Sequence, residues 1–215
     1  MKIFITGGTG FLGNQLSKQL KKNKKNIIII GSKKRKSKVN LDLTLKKNLK
    51  KIIELNPDII INCAGLTSVD KCEKNKKLAF KTNALITKNL VSISKNLDCK
   101  LIQISTDHVY NGVKKNNVEN KCNLKNYYST TKRLAELEAL KYYKSLILRT
   151  NFFGISKKNK GNLNWFFEKI KKKQTINLFS DVYFSPLYIN TLCQIISKIC
   201  NKNTYGFFNV GSINK

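Results

Sequence analysis

Apolar residues along this chain gather into short, largely β-branched runs. Polar stretches separate them, and in those stretches apolar residues recur every three or four positions. The runs cover residues 3–6, 27–30, 59–62, 101–105 and 146–150. Continuous rather than alternating apolarity is what a strand buried on both faces requires. The intervening segments have helix length: 11–22, 46–55 (closed by Pro57), 84–97 and 129–142. In the third of these, Ile86, Leu90, Ile93 and Leu97 fall on one helix face. Strand and helix alternate, so the fold class is α/β, a doubly wound parallel sheet with helices on both sides.

After Thr150 the rhythm changes. A polar, Lys-rich loop is expected over 154–161, a helix over 164–173, a strand over 175–179, a helix over 188–200 and a last strand over 206–210. The chain is therefore read as two regions. Residues 1–150 form the main α/β domain, and 151–215 form a smaller region, some of whose elements pack back on the first.

The first strand runs directly into Thr6-Gly7-Gly8-Thr9-Gly10-Phe11-Leu12-Gly13. Glycine permits a tight turn and lets backbone approach a pyrophosphate without a Cβ clash. The helix that follows offers unpaired N–H groups and a positive dipole end. A glycine motif between a strand and a helix near the N-terminus predicts a Rossmann-like dinucleotide-binding domain. The second strand should deliver a residue to the adenosine ribose, where an acid favours NAD and a base accommodates the 2′-phosphate of NADP. After residue 30 the chain reads Gly31-Ser32-Lys33-Lys34-Arg35, with no acid. NADPH is the expected cofactor, with Ser32, Lys33 and Arg35 as contacts, and NADH is left open.

Composition narrows the function classes. At 41% hydrophobic the chain can bury a core. No apolar run approaches the ~20 residues of a membrane span. Glycines interrupt the N-terminal apolar stretch too early for a signal peptide. A cytoplasmic protein without a membrane span is expected. The six cysteines form no C-x-x-C pair and there is one histidine, so no metal site is assigned and the cysteines are read as reduced thiols. The net charge of +30 comes mostly from lysines spread along the whole chain. They are read as solvated faces, with a field that attracts anionic nucleotides, and no nucleic-acid partner is expected.

Tyr128 and Lys132 stand four apart in YSTTK, which stacks them on one helix face. A free tyrosine, with pKa about 10, is a poor acid–base group near neutrality, and a neighbouring ammonium stabilises its phenolate.

Seven segments now carry a family resemblance: TGGTGFLG (6–13), LDLT (41–44), PDIIINCAGLTSVDKCE (57–73), ISTDHVYNG (104–112), YYSTTKRLAELEA (127–139), LILRTNFFG (146–154) and SDVYFSPLYINTL (180–192). In this order they resemble the extended short-chain dehydrogenase/reductases and, within them, the dTDP-4-dehydrorhamnose reductase family. The resemblance implies a reductase of a keto group on a nucleotide-activated deoxysugar, feeding cell-surface polysaccharide. It implies that Thr106 hydrogen-bonds the substrate carbonyl and that Tyr128 donates the proton. Lys132 would hold the nicotinamide ribose and depress the Tyr128 pKa. Gly7, Gly10, Phe11, Leu12 and Gly13 would hold the pyrophosphate, Asp42 and Leu43 would flank the adenine, and Cys63, Ala64 and Gly65 would line the cofactor. Asn83 opens a helix where the superfamily often places an asparagine near the lysine. Val69, Asp107 and His108 would lie near the sugar, His108 as a polar aromatic substitute rather than a catalyst. Phe152 and Phe153 stand where the family usually has a Trp, which keeps an aromatic wall and leaves the specific sugar open. Family members run longer than this chain, so the C-terminal substrate lobe is expected to be small and incomplete. A homodimer is compatible with the resemblance. Two alternatives stay open: a non-catalytic dinucleotide-binding regulatory subunit of the same fold, and an epimerase or dehydratase acting on nucleotide sugars.

Overall fold

The computed structural model describes residues 1–32, 39–110, 118–155, 162–178 and 180–212. Lys33 and Arg35, two of the expected cofactor contacts, lie outside these residues. The first half of the chain lays down β1 (Lys2–Thr6), α1 (Phe11–Lys21), β2 (Ile27–Ser32), β3 (Val39–Asn40), α2 (Leu49–Leu55) and β4 (Ile59–Asn62). A helical stretch follows: α3 (Val69–Lys74), α4 (Lys76–Phe80), a π-helical turn (Lys81–Leu85) and α5 (Ile86–Asn96). Then come β5 (Lys100–Thr106), α6 (Tyr127–Ala139), β6 (Ser145–Thr150), β7 (Phe152–Phe153), α7 (Asn162–Lys171), β8 (Leu187–Tyr188), α8 (Ile189–Cys200) and β9 (Gly206–Val210).

Seven strands form one sheet in the order β3-β2-β1-β4-β5-β6-β9, every neighbouring pair parallel. This is the Rossmann-like doubly wound architecture that the alternating pattern predicts. The order reverses between β1 and β4, and ligands of such sheets bind beyond the carboxyl ends of the strands at that switch point. β7 and β8 pair separately, Phe152 opposite Leu187 and Phe153 opposite Tyr188.

Side chains alternate across a strand, so a sheet covered on both faces needs apolar residues at every position. Ile3 and Ile5 face a core shared with Leu16 and Leu20 of α1 and with Leu192 and Ile196 of α8. Phe4 and Ile60 face the opposite core, with Ile52 of α2 and Leu90 and Ile93 of α5. β9 thus belongs to the first sheet and α8 packs on it, although they lie far along the chain.

Two expectations are corrected. Residues 175–178 form no strand, and Leu178 is exposed there. The helix expected to begin at residue 84 is already under way, because its first turns are α4 and the π-helical turn.

Candidate active site

The chain leaves β1 at Thr6 and turns at Gly7, whose φ is +61°. A Cβ on Gly7 would stand 2.7 Å from the Cys63 carbonyl oxygen, and one on Gly13 would stand 2.5 Å from the carbonyl oxygen of Gly7. Only glycine lets the turn lie this close to the end of β4 and lets α1 lie this close to the turn. Gly10 donates its N–H to the Gly7 carbonyl at 2.8 Å and caps α1. No side chain caps that helix and no acid sits in its first turn. The first turn of α1 therefore presents N–H groups and a positive dipole end at the switch point, a cradle fitted to a pyrophosphate. Leu12 is buried in the core below, and Phe11 leans on Phe152 with ring centroids 6.2 Å apart. Phe152, expected near the sugar, thus packs against the glycine turn.

At the end of β2, the Ser32 and Thr9 hydroxyls are 2.8 Å apart. The pair stands at the end of the second strand, the position from which dinucleotide-binding folds of this kind deliver a residue to the adenosine ribose. Thr9 was not singled out in the sequence, although it lies inside the glycine motif. Asp42 and Leu43 follow β3. The Asp42 carboxylate accepts from the Thr44 N–H at 3.0 Å and from its hydroxyl at 2.7 Å. Leu43 is buried, and its carbonyl accepts from Asn89 of α5 at 2.8 Å. These two residues form a turn on the β3 side of the switch point, across the sheet from the residues on β5.

Cys63, Ala64 and Gly65 leave the end of β4. Burial pushes the Cys63 thiol up to about 12. The Ala64 N–H donates to Thr6 Oγ1 and Asn62 Oδ1, both at 3.2 Å. Asn83 holds the next residue at both its polar atoms. Its Oδ1 accepts from the Leu66 N–H at 2.7 Å and its Nδ2 donates to the Leu66 carbonyl at 3.1 Å. Nδ2 also donates to Thr131 Oγ1 at 2.9 Å. Asn83 lies within the π-helical turn, a form of helix found frequently at functional sites. One amide thereby ties the strand-end loop to α6, one residue before Lys132.

α6 begins with a capping box. Asn126 Oδ1 accepts from the Ser129 N–H at 2.8 Å, and Ser129 Oγ reaches back to the Asn126 N–H at 3.3 Å. Tyr128 and Lys132 both lie on the buried face. Lys132 Nζ donates to the Ile104 carbonyl at 2.7 Å, and the Tyr128 phenol lies beside Thr106, whose side chain lowers its pKa. Thr106 Oγ1 also accepts from the His108 N–H at 3.2 Å. The His108 ring meets the Tyr128 ring edge-on at 5.6 Å. Asp107 is held by Asn151 Nδ2 at 3.0 Å, and Val69 packs beside Tyr128. The structure therefore gathers Thr106, Tyr128, Lys132, Asp107, His108 and Val69 at one end of the crevice.

The electrostatics differ from the expectation in one respect. Burial pushes the Tyr128 phenol up to about 12; the neighbouring Thr106 side chain opposes this, and the Asp107 carboxylate and Cys72 add to it. Lys132 is not among the groups that lower it, because its ammonium is turned to the Ile104 carbonyl. Burial draws Lys132 down to about 8, against the pull of Glu136 and Cys63. At neutral pH the tyrosine is thus protonated and the lysine still charged, the states a proton donor and a cationic support need. Among the described residues no group of three or more His, Cys, Asp or Glu side chains could hold a metal ion.

Known proteins resemble this chain along its length. The family model described as RmlD substrate binding domain matches residues 1–212. The spore coat polysaccharide biosynthesis protein SpsK of Bacillus subtilis (strain 168) is 29% identical over 207 residues, which cover 92% of this chain and 69% of that protein. The crystal structure of a dTDP-4-dehydrorhamnose reductase from Clostridium acetobutylicum superposes with a TM-score of 0.87 at 30% identity, over 98% of this chain and 74% of that one. The dTDP-4-dehydrorhamnose reductase of Bacillus anthracis str. Ames, solved in complex with NADP, gives 0.86 at 29% identity with the same coverage. The glycine turn, the switch point and the Tyr128–Lys132 helix thus stand in a chain that belongs to the RmlD substrate binding domain family, the dTDP-4-dehydrorhamnose reductase family of extended short-chain dehydrogenase/reductases.

Proposed function

We propose that this chain is a cytoplasmic, NADPH-dependent reductase of a keto group on a nucleotide-activated deoxysugar, with a dTDP-linked 4-keto-hexose as the first substrate to test. The observation that carries the reading is Thr106 and Tyr128 side by side on the buried face, with Lys132 one helical turn behind Tyr128, across the switch point from the glycine turn. Gly7, Gly10, Gly13 and the first turn of α1 hold the pyrophosphate. Ser32 and Thr9 face the adenosine ribose, and Lys132 supports the nicotinamide ribose. Bound NADPH supplies the hydride. Thr106 hydrogen-bonds the carbonyl oxygen and orients it. Tyr128, protonated at neutral pH, delivers the proton to that oxygen as it becomes a hydroxyl, with the charged Lys132 one helical turn behind it. Asp107, His108 and Val69 face the sugar. Residues 1–150 serve chiefly the dinucleotide, and the β7–β8 region serves the sugar. The assembly that goes with this reading is a homodimer, supported by the exposed Leu134 and Leu137 on α6 and Leu140 at its C-terminal end.

The test is a panel of keto-sugar nucleotides offered with NADPH and NADH in parallel. Oxidation of NADPH by a 4-keto sugar is expected. Tyr128→Phe should lower kcat by about 10²–10⁴-fold while NADPH still binds. Binding without turnover across the panel would point instead to a non-catalytic subunit, and a strong preference for NADH would overturn the choice of cofactor. Sedimentation velocity of the protein checks the dimer.

A further inference from the structure

Arg149 is the one charged residue in the apolar run of β6, and its side chain is 1% exposed. Its partner Glu136, on α6, is 0% exposed. Nε donates to Glu136 Oε1 at 2.8 Å and Nη2 to Oε2 at 2.6 Å, a two-pronged fork. Nη1 donates to the Tyr110 hydroxyl and to the Glu119 carbonyl, both at 2.8 Å, and Nη2 donates to Cys122 Sγ at 3.4 Å. All five N–H groups of the guanidinium thus have acceptors. The Phe207 ring covers it at 4.9 Å. Glu136 also accepts from Ser105 Oγ at 2.6 Å and from Arg133 Nη1 at 3.0 Å. A buried ion pair is a poor way to gain stability, since apolar residues of the same volume do as well. Its connections suggest another use.

Ser105, Arg149 and Asn209 are register partners across β5, β6 and β9, and the next row along begins with Thr106. Glu136 lies one helical turn beyond Lys132 on the buried face of α6. The pair therefore bolts α6 to the strand residue immediately before Thr106. It also ties down both limbs of the segment between β5 and α6. Tyr110 is on the outgoing limb, two residues after His108. Glu119 and Cys122 are on the returning limb, before the Asn126 cap. The Asn123 N–H donates to the Val109 carbonyl at 2.8 Å, which joins the limbs. The Tyr110 hydroxyl donates onward to Asn209 Oδ1 at 2.9 Å.

We propose that Arg149 and Glu136 are positioning residues for the sugar side of the site. Through Ser105 they set the Thr106–Tyr128 geometry, and through Tyr110 and the returning limb they hold Asp107 and His108 where the sugar meets them. The proposal rests on the reductase reading for its kinetic arm only. Tyr110→Phe, which leaves the ion pair intact, should raise KM for the keto-sugar nucleotide about fivefold with kcat little changed. Ser105→Ala should lower kcat about fivefold with KM little changed. Arg149→Lys, which keeps the charge and loses the fork, should do both. NADPH affinity, read by nucleotide fluorescence, should stay within about twofold in all three. Amide hydrogen exchange of the NADPH-bound protein gives an arm that needs no turnover. Exchange at Asn123 should rise about tenfold in Tyr110→Phe and Arg149→Lys, with Gly10 unchanged. Variants that melt lower yet keep wild-type KM, kcat and Asn123 exchange would reduce the pair to a structural brace and overturn the proposal. So would NADPH affinity falling in step with the kinetics. If the wild type reduces no keto sugar, the reductase reading fails, and the exchange at Asn123 still decides whether the pair holds the segment.

Discussion

Tyr128 and Lys132 share one helix face, and burial moves them in opposite directions, up to about 12 and down to about 8. In the unfolded chain the lysine titrates near 10.4. Between pH 8 and that value the unfolded state holds a proton that the folded state has released, so this residue's contribution to stability rises with pH across that window. Below pH 8 the cost of burying the ammonium is felt in full. Lys132→Met is therefore expected to stabilise the fold by about 3 kcal/mol at pH 7, with the gain gone by about pH 10.5, while abolishing turnover. Melting curves at the two pH values check it; a lower melting point at pH 7 would contradict it. In the wild type, kcat/KM should decline as pH rises through about 8, when Lys132 loses its charge while Tyr128 keeps its proton. Spacing and resemblance made Thr106, Tyr128 and Lys132 visible in the sequence. Glu136 and Arg149 were not singled out, although an arginine inside the apolar run 146–150 was a signal. Nothing local states that its partner lies 13 residues upstream on another element.

Among the elements, α6 matters most because Tyr128 is its second residue. The Asn126–Ser129 capping box fixes where the helix starts and so where that hydroxyl stands. Asn126→Ala is expected to cost about 1 kcal/mol of stability and to lower kcat several-fold. Thermal melts and steady-state rates on the same samples check this, and a normal kcat in a destabilised variant would show that the cap is not what places Tyr128. The long, periodic elements were legible in the sequence because apolar spacing alone defines them. The helical turns over 69–80 were not, being short, Lys-rich and without a sustained apolar stripe. The π-helical turn is invisible at that level, since one extra residue per turn leaves no mark in composition. The strand expected over 175–179 is not formed at 175–178, because suitable residues make a strand only where they pair with another.

For the whole molecule, the point of interest is the return of the chain to its first sheet. After the β7–β8 excursion, α8 places Ile189, Leu192, Cys193, Ile196 and Cys200 in the core beside α1, and β9 pairs along β6. Lys100, at the start of β5, donates to the carbonyls of Ile199 and Lys202 and closes the end of α8. A fragment ending at Thr150 should therefore lack a cover for Leu16, Leu20 and Leu146 and should show no cooperative melt, as calorimetry of the isolated fragment would reveal. A cooperative transition would mean that the first 150 residues suffice. By itself the sequence determined the parallel α/β class, the glycine turn and the spacing of tyrosine and lysine, because period, turn chemistry and helix pitch are local properties of the chain. The tertiary structure alone decided which strands are neighbours and that α8 and β9 close the sheet. It also decided that burial moves Tyr128 and Lys132 in opposite directions and that Arg149 reaches Glu136, because these depend on which distant residues exclude water from one another.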